Sequence, residues 1–112
     1  MKHVINSEEI INDFGYWPTF HDDLIESISI HSSKIEIVIN ILSLPNGFDE
    51  YKVRLSFFDS IEFKLDGELF DTETIIFDIK FDMSEQVCTT ISQSLGISGY
   101  IKSNRLSISK VV

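Results

Sequence analysis

The chain has 112 residues, 43% of them hydrophobic, and a formal charge of −9 from 18 acids against nine bases. That length suits one compact domain over residues 1–112, and the apolar content excludes a disordered chain. The charge repels nucleic-acid backbones and anionic membrane surfaces, and no run approaches the ~18 apolar residues of a membrane helix.

The charge divides as −5 over residues 1–57 and −4 over residues 58–112, so by chain position the acidity belongs to the whole body. A basic protein partner would be attracted to it. Cys88 is the only cysteine, so no intrachain disulfide can form, in keeping with a reducing compartment. The opening MKHVINSEEII lacks the apolar core and cleavage site of a signal peptide, so the expected location is the cytoplasm.

Residues 7–13 predict a short helix, with Ser7 as its cap and Glu8 and Glu9 in the first turn, where the helix dipole favours acids. Phe14-Gly15 breaks it, and Pro18 holds Trp17 away from helical dihedrals. From Leu24 the period becomes two: Leu24, Ile28 and Ile30 share one face, and Ser27, Ser29 and His31 the other, with Ile25 among them. Ser32-Ser33 predicts a turn into a second strand bearing Ile35, Ile37, Ile39 and Ile41, apolar on both sides at its far end and therefore central or covered.

The alternation from Tyr51 to Leu65 is too long for one strand and predicts a bend near Phe58-Asp59-Ser60. Asp66-Gly67 predicts a turn. Ile75, Phe77, Ile79 and Phe81 alternate with Asp78, Lys80 and Asp82 as a half-buried strand. Val87, Thr89, Ile91, Leu95, Ile97 and Ile101 share one parity, with bends at Gly96 and Gly99, and Asn104 leads to a last strand with Leu106 and Ile108 inward. The predicted fold class is mainly β: a single-domain antiparallel meander of six to eight strands, curled or two-layered, with one short N-terminal helix.

Candidate chemistry concentrates in Tyr16-Trp17-Pro18-Thr19-Phe20-His21-Asp22-Asp23. His21 and Asp23 could share a face of an extended chain while Asp22 could not, and two ligands fall short of the four a tight zinc site wants. A small metal-dependent hydrolase or metal-binding domain centred on His21 and nearby acids is the alternative reading. The structural reading fits better: Trp17 and Phe20 anchor the segment beside Ile10, Ile11 and Phe14, and an aspartate before the first long strand accepts backbone hydrogen bonds. Cys88 in a strand reads as a small core residue, and no nucleophile motif or glycine-rich phosphate loop is present. Asp59 with Glu62, or Asp78 with Asp82, could form carboxylate pairs by chance. Phe57, Phe63, Phe77 and Phe81 read as core; Phe48, Tyr51, Phe58, Phe70 and Tyr100 could include a docking cluster. No catalytic, cofactor-binding or metal-ligating set is assigned.

The stretch Trp17-Pro18-Thr19-Phe20-His21-Asp22 resembles the immunity protein 50 family of bacterial polymorphic-toxin systems. That family carries a tryptophan, two spacers, then phenylalanine, histidine and aspartate, matched here by Trp17, Phe20, His21 and Asp22; Asp23 is a departure after the motif. Size and single-domain layout match as well. The resemblance implies a mostly β, non-enzymatic cytoplasmic antidote that binds a cognate toxin protein and occludes its functional surface. Such toxins are often nucleases with basic clefts, which an acidic inhibitor could occupy as a charge mimic.

Overall fold

The computed structural model describes residues 4–59, 61–67, 74–83, 85–95 and 97–111, leaving aside the side chains of residues 4, 74–78 and 93–95. The elements are β1 (Val4–Ile5), α1 (Glu8–Phe14), β2 (Leu24–Ile30), β3 (Lys34–Asn40), β4 (Lys52–Phe58), β5 (Glu62–Asp66), β6 (Thr74–Met83), β7 (Val87–Leu95), β8 (Ser98–Ser103) and β9 (Arg105–Val111). The strand order is β1-β9-β4-β3-β2-β6-β7-β8-β5. Only two residue pairs, Leu24↔Ile75 and Ile25↔Thr74, join β2 to β6, so the sheet divides there into two sections. The described residues are mainly β with a single short helix, as the period-two patterning predicts.

Two three-strand meanders, β2-β3-β4 and β6-β7-β8, form the body. The chain changes section twice, from β4 to β5 through residues 59–61 and from β8 to β9 through Asn104. The bend expected near Phe58-Asp59-Ser60 is the first of these passages; Ser60 itself lies outside the described residues. The passages are tied together: Asn104 N–H donates to the Asp59 carbonyl at 2.8 Å, and Asp59 adopts a φ of 66°, a left-handed conformation an aspartate tolerates. All long pairings are antiparallel; the exception is the two-residue β1, parallel to β9.

Inward rows run straight across the first section. Ile35, Phe57 and Leu106 are aligned, as are Ile37, Leu55 and Ile108, and all six are buried. Ile79, Val87, Ile91 and Ile101 bring the second section into the same core cluster. β3 is central, between β2 and β4; it buries Ile35, Ile37 and Ile39 on one face, while its other face carries Lys34, Glu36, Val38 and Asn40, and Leu42 beyond its far end is exposed.

The structure corrects several expectations. Ile25 faces inward, opposite Ile39, although simple alternation puts it with the serines; a bulge between Ile25 and Ser27 returns Ile28 and Ile30 to the same face. Ser7 is the N-cap residue but makes no side-chain capping bond. Gly99 is no bend: it sits within β8, opposite Leu65 and Ile91. Phe63 points inward by parity but lies on the edge strand β5 and is 43% exposed. Cys88 faces away from buried Val87 and Thr89 and is half-buried, so it is not a core residue. Phe70 and Gly96 lie outside the described residues, as do the side chains of Ile75, Phe77, Asp78 and Leu95.

Candidate interaction surface

The helix α1 is positioned by buried Ile10 and stops at Gly15, which takes a φ of 83° and donates its N–H to the Ile11 carbonyl. Phe14 meets Tyr51 edge to face at 5.2 Å, and the Tyr51 hydroxyl donates to Asp13 Oδ2 at 2.7 Å. Tyr51, one of the aromatics that could have formed a docking cluster, is instead the largest fully buried side chain among the described residues. Burial first, then the Asp13 hydrogen bond and the charges of Asp13 and Glu9, push its ionisation well above the usual tyrosine range. Phe48 packs on Tyr51 at 5.0 Å, and Lys110 Nζ lies 4.6 Å from the Phe48 ring centroid.

The chain then passes through the motif segment, which divides by role. Phe20 is fully buried, and Trp17 is half-buried against the edge of Phe81 at 5.2 Å. The Thr19 carbonyl accepts the Ile79 N–H at 3.0 Å, fastening the segment to β6. Phe20 and Asp22 adopt φ values of 61° and 63°, so the backbone turns sharply here and is not extended. His21 and Asp22 are exposed, with Nε2 3.4 Å from Oδ2.

Asp23 behaves differently. It is 3% exposed, and its Oδ1 accepts the Leu42 N–H at 2.8 Å and the Ser43 N–H at 3.4 Å. Burial raises its pKa above 3.8, against the lowering effect of those two bonds. The residue that departs from the motif is therefore the aspartate that clamps the loop after β3, while the motif's Asp22 is left at the surface. Sequence reasoning expected an aspartate in this role; which of the two fills it depends on the left-handed turn at Phe20 and Asp22.

Metal chemistry finds no constellation here. Among the described residues, no three His, Cys, Asp or Glu side chains converge as a ligand set. His31 instead lies 3.6 Å from Glu36, beside Lys34 and Arg54 on the outer face; His3 lies outside the described residues. Of the acids that could pair by chance, Asp59 faces Arg105 at 3.9 Å and Glu62 faces Lys102 at 3.6 Å.

The same end of the molecule carries two features that periodicity did not reveal. Tyr16, Leu42 and Leu44 are 62%, 54% and 39% exposed, three of the five large exposed hydrophobics among the described residues. Tyr16 and Ser43, the residue between the two leucines, line one depression of about 190 Å³ with His21 and Asp23. Residues 6–23 and 41–51, which build this end, hold Glu8, Glu9, Asp13, Asp22, Asp23, Asp49 and Glu50 and none of the nine bases. That is seven of the 18 acids; the remaining 11 are almost balanced by the nine bases elsewhere. The bases at its border are engaged: Lys52 lies 3.0 Å from Glu26, and Lys110 lies over Phe48 and Tyr51.

A family model described as Immunity protein 50 matches residues 6–112. The chain belongs to the immunity protein 50 family. The match extends from before α1 to the end of β9, so it takes in the motif segment and both sheet sections together. Membership in the immunity protein 50 family supports an immunity role and a toxin partner in general, and it favours action by binding over turnover. Neither the curated proteins nor the solved structures gave a match to this chain.

Proposed function

We propose that this immunity protein 50 chain is a cytoplasmic antidote that binds one cognate protein toxin and neutralises it by occluding its functional surface. The observation that carries this reading is the family match over residues 6–112. The concentration of acids at one end supports it, because a toxin that acts on nucleic acid must present a basic cleft. An acidic protein can occupy such a cleft as a mimic of the phosphate backbone. Charge alone gives fast encounter more than tight binding, so the complex also needs a desolvated contact.

The test is reconstitution with the toxin domain encoded by the neighbouring gene. A stoichiometric complex, rescue of growth on co-expression, and association that slows with added salt are the expected results. Absence of a complex between the two purified proteins would reject this function.

A further inference from the structure

We infer that the toxin-contact surface is the end formed by Tyr16, Leu42 and Leu44, and that its occupant is a basic protein face carrying an apolar anchor; this rests on the antidote reading above. Three observations converge. Tyr16 lines a shallow depression with Ser43, the residue that Leu42 and Leu44 flank, and all three large apolar side chains are exposed, as at an interface centre and not a solvated rim. Exposed acids adjoin it along the chain, with Asp22 between His21 and Asp23, which line the depression, and Asp49 and Glu50 in the loop that follows Leu44.

The third observation is rigidity. Leu42 and Ser43 are held by Asp23, and Ile41 N–H donates to the Tyr51 carbonyl at 2.9 Å, so the leucines are presented on a backbone clamped at its base. A preformed surface loses less conformational entropy on binding. The charge selects the occupant. A second copy of this chain would set the exposed Glu8, Glu9, Asp22, Asp49 and Glu50 against the same acids, and a nucleic acid would set phosphates against them. A cationic protein face is the complementary choice. The other large exposed hydrophobics do not share this setting: Ile30 lies at the opposite end of the β2–β3 hairpin, and Phe63 lies on the β5 edge.

The deciding experiment is titration calorimetry of the full chain with the toxin domain encoded by the neighbouring gene, after thermal melts confirm that each variant folds. The exposed substitutions Leu42→Ala with Leu44→Ala, and Tyr16→Ala, are expected to weaken binding by about tenfold or more, as truncation of interface anchors does. Asp22→Asn is expected to slow association and reduce its salt dependence. Ile30→Ala and Phe63→Ala should bind within about twofold of wild type, as residues away from the contact do. Retained affinity in the leucine and tyrosine variants, whatever Ile30→Ala and Phe63→Ala do, overturns the surface but leaves the antidote function standing. No binding by the wild-type chain overturns the antidote function and the surface with it.

Discussion

Asp23 Oδ1 accepts the backbone N–H of Leu42 at 2.8 Å, joining the motif segment to the loop after β3 across 19 residues of sequence. The bond gives a buried carboxylate a structural task and gives two loop amides a partner. Asp23→Ala leaves the Leu42 and Ser43 N–H groups without that acceptor and is expected to cost about 1–3 kcal/mol. Asp23→Asn keeps a carbonyl oxygen in place and should cost much less. Denaturant titration of the two variants checks the difference.

The same residue sets a pH dependence. Its folded-state pKa is raised above 3.8, chiefly by burial, so the folded protein holds this proton more tightly than the unfolded chain. The stability linked to Asp23 is therefore fully present below pH 3.8 and is lost as pH rises through the folded-state pKa. Asp23→Asn has no proton to lose there. The stability of wild type minus that of Asp23→Asn should fall as pH rises through this window, and a difference that rises instead contradicts the burial account.

Tyr51 offers a second titration with the same sign. Its hydroxyl donates to Asp13, and its pKa is raised from 10.0 by burial and by that bond. Stability from Tyr51 is present below pH 10.0 and lost as pH rises beyond it through the folded-state pKa. Tyr51→Phe keeps the ring contacts with Phe14 and Phe48 and removes only the hydroxyl. A loss of about 1–2 kcal/mol at neutral pH is expected, since the acceptor is a carboxylate. The variant should also lose part of the alkaline sensitivity, which pH-dependent melting measures.

Much of this fold is legible in residue periodicity. Ile35, Ile37 and Ile39, and Val53, Leu55 and Phe57, announce two strands and the faces they bury. Periodicity fails where one extra residue resets it: nothing in Leu24-Ile25-Glu26-Ser27 marks the bulge that turns Ile25 inward. It fails also at Gly99, because a glycine needed for close strand approach has the same letter as one needed for a bend. The acidic end was hidden for a third reason. Counted along the chain, the halves are nearly equal at −5 and −4, but folding brings together stretches of residues 6–23 and 41–51 that hold no base of their own, with Lys52 and Lys110 at their border. The motif shows which segment is special, while the turn at Phe20 and Asp22 decides which side chains it buries.

Gly99 tests the close approach. A Cβ built there would lie 1.9 Å from the Lys64 carbonyl oxygen, and its φ of 148° is one that other residues rarely adopt. Both the backbone strain and the clash with β5 oppose any side chain. Gly99→Ala is expected to destabilise by roughly 2–6 kcal/mol, from strain and overpacking of about 1–3 kcal/mol each. Because the clash is with β5, amide exchange in Glu62–Asp66 and its β8 partners should rise first. Protection lost uniformly across the molecule, with β5 no different from β3, would count against this local cause.

The motif itself can be dissected by stability, since its residues occupy different environments. Trp17 is half-buried against Phe81, so Trp17→Ala should cost about 2–3 kcal/mol, below the 3–5 kcal/mol typical of a fully buried large aromatic. Its Nε1 is buried with no hydrogen-bond acceptor among the described residues, so Trp17→Phe sacrifices no bond and should cost less than the alanine change. His21 and Asp22 face solvent, and a surface pair of this kind contributes no more than about 1 kcal/mol. His21→Ala and Asp22→Asn should therefore melt close to wild type. Chemical denaturation of the four variants separates the anchoring half of the motif from its exposed half. If His21→Ala proved as damaging as Trp17→Ala, the histidine would have to hold the turn itself, and the assignment of that task to Phe20 and Asp23 would fall.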